Sequence, residues 1–152
     1  MNITIQKAKI EHLSACVDAL LNSELGRQYF TQQGATRELT SGISKEEVYA
    51  ALSEDGNCLG FVWGRLDAAF HIYPYMHLVA VRAEYRGKGV GKQLIEFCEN
   101  VVFASDSKVF LVVADFSLQT KKLYEKLGYT QVGELPDLYS PGVTEYLMMK
   151  NK

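Results

Sequence analysis

Between Arg86 and Lys92 three glycines alternate with other residues, in the order Arg86-Gly87-Lys88-Gly89-Val90-Gly91-Lys92. Residues of these types at this spacing suit one kind of chemistry, the holding of a polyanion. Glycine lets the backbone approach a ligand closely and adopt conformations that other residues avoid. A helix starting at such a turn presents first-turn N–H groups that lack intrahelical partners, and its dipole favours negative charge there. Arg86, Lys88 and Lys92 place cations on the same lip. A pyrophosphate or similar group is the ligand this segment fits. The plainer alternative is a flexible loop ahead of a surface helix.

The elements on either side must position the turn. His77-Leu78-Val79-Ala80-Val81 before it is apolar and β-rich. After it Val90, Leu94, Ile95, Cys98, Val101 and Val102 recur at helical spacing, so one face of that helix meets a core. The spacing also excludes two phosphate loops. A P-loop needs Ser or Thr after Gly-Lys, and Gln93 follows Gly91-Lys92. A dinucleotide turn needs G-x-G-x-x-G, whereas Gly87, Gly89 and Gly91 run as G-x-G-x-G.

What remains is R-x-x-G-x-G, read as Arg86, Gly89 and Gly91 after a strand ending in Val81. A second segment follows at a suitable distance, Ser117-Leu118-Gln119-Thr120-Lys121-Lys122-Leu123-Tyr124-Glu125-Lys126-Leu127-Gly128-Tyr129. It reads as a helix with Ser117 as N-cap, Leu123 and Leu127 on one face and Gly128 at the C-terminus. Together the two segments resemble the signatures of the GCN5-related N-acetyltransferases, the GNAT superfamily, over positions 47 to 150. The family's second motif is N-x-x-A-x-x-L-Y-x-x-x-G-F/Y, and here Ser117 and Thr120 replace its Asn and Ala. Serine caps a helix and offers a hydrogen bond, but lacks an amide's donor-plus-acceptor pair.

The resemblance implies an α+β fold of the acyl-CoA N-acyltransferase type, with a mostly antiparallel splayed sheet and helices on both faces. It implies that acetyl-CoA is co-substrate, its acyl-pantetheine lying in the splay like an added strand. Backbone groups of Val79, Ala80 and Val81 then contact the arm and thioester. The segment Arg86, Gly87, Lys88, Gly89, Val90, Gly91 and Lys92 holds the pyrophosphate, and Ser117 stands at the family's arm-contacting position. The implied reaction moves an acetyl group to a primary amine by direct attack in a ternary complex. The alternative is a GNAT-like module that binds or senses acyl-CoA without turnover. A phosphate-binding interaction domain unrelated to CoA is a third reading.

Tyr124 stands where the family places its general acid. A free phenol ionises near pH 10 and a simple thiol at about 8.5, so a neutral phenol beside the sulfur can protonate a departing thiolate. The other role for this tyrosine is packing on a buried helix face. A base matters because an alkyl amine of pKa about 10.4 is neutral in roughly one molecule per two thousand at pH 7. Relatives place a carboxylate at positions matching Tyr73, Tyr75 or Val112, and none of these is acidic. His77 has a suitable intrinsic pKa; Asp115 and a water chain are the alternatives, and His77 could equally be a structural edge residue. Tyr29, Phe30, Tyr73, Tyr75 and Tyr139, with Glu24 and Asp137, are candidates for an acceptor pocket or for core and rim. The acceptor could be a small-molecule amine or a peptide or protein amine.

At 152 residues the chain has the size of one domain, expected to span 1–152. A hydrophobic fraction of 47% and charged fraction of 22% are ordinary for a globular protein. A net charge of −2 argues against nucleic-acid or membrane-surface partners. Apolar stretches have strand length, and the first residues lack a signal peptide's apolar block. Cys16, Cys58 and Cys98 are odd in number and far apart, which suits a reducing cytoplasm rather than a disulfide framework or zinc site. His12, His71 and His77 show no metal-ligand spacing, so no metal is expected. A homodimer is compatible with this size.

Along the chain we expect a strand over 2–8, helices over 11–22 and 24–33, and a polar Gly/Ser/Thr-rich loop over 34–44. Ser44-Lys45-Glu46-Glu47 has the form of a capping box. Against it, the apolar runs around Asp55-Gly56-Asn57 signal a hairpin; the residues leave the choice close, and the GNAT resemblance decides for the hairpin. Strands over 72–82, 108–114, 129–134 and 143–150 and helices over 89–104 and 117–127 complete a mixed sheet with helices on its faces.

Overall fold

Val48–Leu52 and the apolar run from Cys58 form the hairpin expected from the sequence. The Ser53 amide donates to the Asn57 carbonyl across its turn at 2.9 Å, and Gly56 takes the left-handed conformation that the turn demands (φ +82°). A computed structural model describes all residues, 1–152. In chain order the elements are β1 (Thr4–Lys7), α1 (Leu13–Leu21), α2 (Glu24–Tyr29), α3 (Gln32–Ser44), β2 (Val48–Leu52), β3 (Cys58–Ala69), β4 (Tyr73–Val81), α4 (Val90–Val102), β5 (Lys108–Ala114), α5 (Leu118–Lys126), β6 (Thr130–Pro136) and β7 (Thr144–Asn151). Seven strands in the order β1-β2-β3-β4-β5-β7-β6 make a mostly antiparallel sheet. The exception is β4 with β5, which run parallel with Tyr75 registered on Phe110. The fold is α+β, as expected.

The residues group into two compact units, Met1–Gly64 with Leu78–Val101, and Arg65–His77 with Val102–Lys152. In the first, β1, β2 and β3 pair antiparallel, and α1 and α3 bury Leu20 and Leu39 in a core with Val48, Phe61 and Ala80. The α4 stripe is buried as its spacing implies, through Val90, Leu94, Ile95, Cys98 and Val102, and Phe97 packs on Tyr49 with ring centroids 5.1 Å apart.

The expected loop over 34–44 is helical. Thr31 caps α3 by accepting from the Gly34 amide at 3.0 Å, and Ala35, Leu39, Gly42 and Ile43 form its buried stripe. Polar, glycine-bearing composition hides that stripe, whose spacing is nonetheless helical. At Gly42 an added Cβ would lie 2.7 Å from the Trp63 ring, so glycine lets the helix approach β3. Ser44 therefore ends a helix rather than starting one, and Glu46 lies in the left-handed region (φ 59°).

In the second unit β5 and β7 pair from Lys108–Asn151 to Ala114–Glu145, and β6 pairs with β7 beside them. Val109, Leu111, Val113, Tyr124, Tyr129 and Met148 are buried there. Leu123, on the face shared with Leu127, is 40% exposed; Tyr124 at 8% is the residue α5 buries. The expected strand near 59–63 continues as β3 to Ala69 and turns back through Phe70 and His71, both at positive φ (56° and 62°). Histidine tolerates that conformation better than most residues, but Phe-His lacks the Gly, Asn or Asp that marks a hairpin turn in a sequence. No helix is long and apolar enough to cross a membrane.

Candidate active site

The glycine turn leaves β4 under firm control. The Arg82 amide donates to the Leu59 carbonyl of β3 at 2.8 Å, and its guanidinium Nε donates to Asp18 at 3.0 Å. The Asp18 carboxylate raises the Arg82 pKa further above its ordinary value, so the charge persists at any accessible pH. Alternation along β4 turns the N–H and C=O of Val79 and Val81 away from β3 and directs those of Ala80 towards it. Of the three expected arm contacts, Val79 and Val81 therefore have the suitable orientation, and Arg86 Nε donates to the Val81 carbonyl at 3.1 Å.

Arg86 also donates from Nη2 to the Asn22 carbonyl at the end of α1, 2.8 Å away. It thus pins the turn to the first helix while keeping its charge at the exposed lip. Gly87 and Gly89 are left-handed (φ +75° and +83°), and a Cβ on either would meet no protein atom within 4 Å. A Cβ on Gly91 would touch only Val81 Cγ2, at 3.7 Å. The first α4 bond recorded from this turn is Gln93 N to Gly89 O, 3.1 Å, so the amides of Val90, Gly91 and Lys92 precede the ladder. Open space beside glycines, free-facing first-turn amides and nearby cations fit a pyrophosphate. Lys88 lies over the Tyr85 ring at 5.9 Å, and Lys92 makes an exposed pair with Glu96 at 3.9 Å, which screening renders weak.

The second unit carries the groups suited to proton transfer and acceptor binding. Tyr124 is buried on α5 and meets Tyr129 edge-on, centroids 5.4 Å apart. Ser117 is buried at the N-cap position of α5 but makes no side-chain capping bond; its carbonyl accepts from Lys121 N at 3.0 Å. His77 is half-buried, its ring 5.8 Å from that of Tyr75. Asp115, the alternative base, also ties strand ends together. Its Oδ2 accepts from the Thr144 amide at 3.0 Å and its own amide donates to the Thr144 carbonyl, locking the end of β5 to β7. Asp137 is likewise committed, accepting from Gly142 N at 2.7 Å in the β6–β7 loop.

A cavity of about 300 Å³ opens in this unit, lined by Tyr75, Tyr139, Phe70, Phe110, Val112 and Leu147 among others. Burial pushes the Tyr75 phenol well above the usual tyrosine range; Tyr139, hydrogen-bonded to it, and the Glu145 carboxylate push in the same direction. Tyr75 therefore stays neutral across the accessible pH range. Glu145, only 1% exposed, escaped the sequence reading. Its signal was a charge two residues before Leu147, at the head of the apolar run Tyr146-Leu147-Met148-Met149. Tyr29, Phe30 and Glu24 belong to the first unit and do not line this cavity.

Comparison with known proteins gives the family. The model of the acetyltransferase (GNAT) family matches residues 17–129, and the chain belongs to that family. Blasticidin-S acetyltransferase of Streptomyces morookaense is 31% identical over 108 residues, 68% of this chain and 75% of that protein. An uncharacterised N-acetyltransferase of Methanocaldococcus jannaschii is 30% identical over 102 residues, 64% of this chain and 62% of the relative. The match spans 21% of a Mycobacterium leprae protein at 33% identity, so only part of these two relatives is covered. Among solved structures, Ard1 from Thermoplasma volcanium shares the fold with TM-score 0.82 at 21% identity, covering 98% of this chain and 97% of that one.

Proposed function

We propose that this chain, working over residues 1–152 as one cytoplasmic domain, transfers an acetyl group from acetyl-CoA to a primary amine by direct attack in a ternary complex. The observation that carries the reading is the turn at Gly87–Lys92, whose open space and pre-ladder amides suit the cofactor's pyrophosphate. Acetyl-CoA supplies the acetyl group already activated as a thioester. Val79 and Val81 offer backbone groups to the pantetheine arm, and a strand N–H aimed at the thioester carbonyl stabilises the oxyanion. Such donors are worth about 3–4 kcal/mol in other acyl-transfer enzymes. Tyr124 gives its phenolic proton to the departing thiolate, and His77 or water takes the proton that the attacking nitrogen releases. Ser117 borders the arm in place of the family's asparagine.

Calorimetry with acetyl-CoA followed by free-thiol release over an amine panel tests this. Micromolar binding with amine-dependent release supports it, whereas absence of any CoA binding overturns it. A second reading, a module that binds acyl-CoA without turnover, draws on Val112 in the family's carboxylate position and on Asp115 being tied to Thr144. Tight CoA binding with no thiol release on any amine would select it.

A further inference from the structure

We infer that Glu145 makes the cavity of the second unit a binding site for a compact apolar ammonium ion, which, on the acetyltransferase reading above, is the acceptor. The argument begins with register. Glu145 is paired with Ala114 on one side and Leu135 on the other, and Val112 with Leu147. Residues paired across a sheet, and residues two apart on one strand, share a face. Glu145 therefore stands on the face that carries Val112, Leu135 and Leu147, all of which line the cavity; it lies behind that lining, close enough for its charge to act on the Tyr75 phenol. Phe110, registered on Tyr75, extends the same face.

Chemistry selects the ligand. The cavity wall is aromatic and aliphatic, with the Tyr75 and Tyr139 hydroxyls as its polar points. Phe70 projects from the hairpin tip and meets the Phe110 ring edge-on, centroids 5.4 Å apart. Rings attract a cation through their faces, and a carboxylate removed from water holds one more strongly than an exposed carboxylate does. A volume of about 300 Å³ takes a small arylalkyl or branched alkyl body. An anionic amine is disfavoured, since its carboxylate would face Glu145 across a poorly screened space. Position 112, where relatives carry a carboxylate, holds valine; Glu145 returns a carboxylate to the same face from the neighbouring strand.

The test is calorimetry on the full chain without CoA, using phenethylammonium, isopentylammonium and the neutral isostere phenethyl alcohol. The expected result is that the wild type binds at least one ammonium more than tenfold tighter than the alcohol. Glu145→Gln should remove that difference while leaving alcohol binding unchanged. Adding Val112→Glu to Glu145→Gln should restore part of it. Should Glu145→Gln not fold, the wild type is titrated with 3-phenylpropionate, the anionic counterpart, which should bind more weakly than the alcohol; binding as tight as the ammonium overturns the inference. Wild-type protein that binds neither ammonium, or folded Glu145→Gln that binds them undiminished, overturns the inference. These outcomes are separate from failure of the acetyltransferase reading, which shows as absent CoA binding and thiol release.

Discussion

At the scale of single residues the chemistry rests on groups whose surroundings assign them different work. Tyr124 is buried and Tyr75 half-buried, and partial burial beside Tyr139 and Glu145 holds the Tyr75 phenol protonated. In the reaction proposed above, proton donation is assigned to Tyr124. Tyr124→Phe keeps the ring and its packing on Tyr129, so we expect kcat to fall about 10²-fold or more with little change in the KM for acetyl-CoA. Steady-state kinetics at saturating amine reads this directly. A rise in KM with kcat intact would show a binding role instead.

Elements set the geometry in which those residues act, and glycines separate the effects. Gly89 is left-handed, so Gly89→Ala carries backbone strain of about 1–2 kcal/mol and should weaken both folding and acetyl-CoA binding. Gly91 lies in the first turn of α4 without a positive φ, and an alanine there has room. Gly91→Ala should leave the melting temperature unchanged or slightly higher while raising the KM for acetyl-CoA about tenfold, because in the proposed binding mode its methyl would stand where phosphate approaches the helix. In α3 the prediction reverses. Gly42→Ala would press a methyl into Trp63 and Val48, costing about 1–3 kcal/mol and lowering the melting temperature by roughly 3–10 °C.

For the molecule as a whole, buried acids govern alkaline stability. All three cysteines are free and buried; burial and the nearby Glu99 push Cys98 up to about 12, and Cys16 is held protonated by its hydrogen bond to Cys58 and by burial. Unfolded thiols ionise at about 8.5, so above that pH the unfolded chain binds fewer protons than the folded one. Stability should then fall as pH rises from about 9 towards 12, by up to roughly 1.4 kcal/mol per pH unit for each such group. Urea midpoints at pH 8, 9.5 and 10.5 measure this, and Cys98→Ala should flatten the decline. A midpoint that rises across this range would contradict it.

Local signals in the sequence determined the turn, the hairpin around Gly56, the helical stripe of α4 and the segment carrying Tyr124. Each of these is encoded by neighbours within a few residues, through glycine conformation or periodicity, so short-range reading suffices. The helix at Gln32–Ser44 was readable in principle, but its buried stripe of Ala35, Leu39, Gly42 and Ile43 is poor in large apolar residues and becomes a core face only against Trp63 and Val48. The work of Asp115, the occupied guanidinium of Arg86 and the place of Glu145 could be decided only by tertiary structure. Asp115 and Glu145 are both acids at strand ends in one dimension. Register alone ties the first to the Thr144 amide and sets the second, nearly without solvent, on the face of an aromatic cavity.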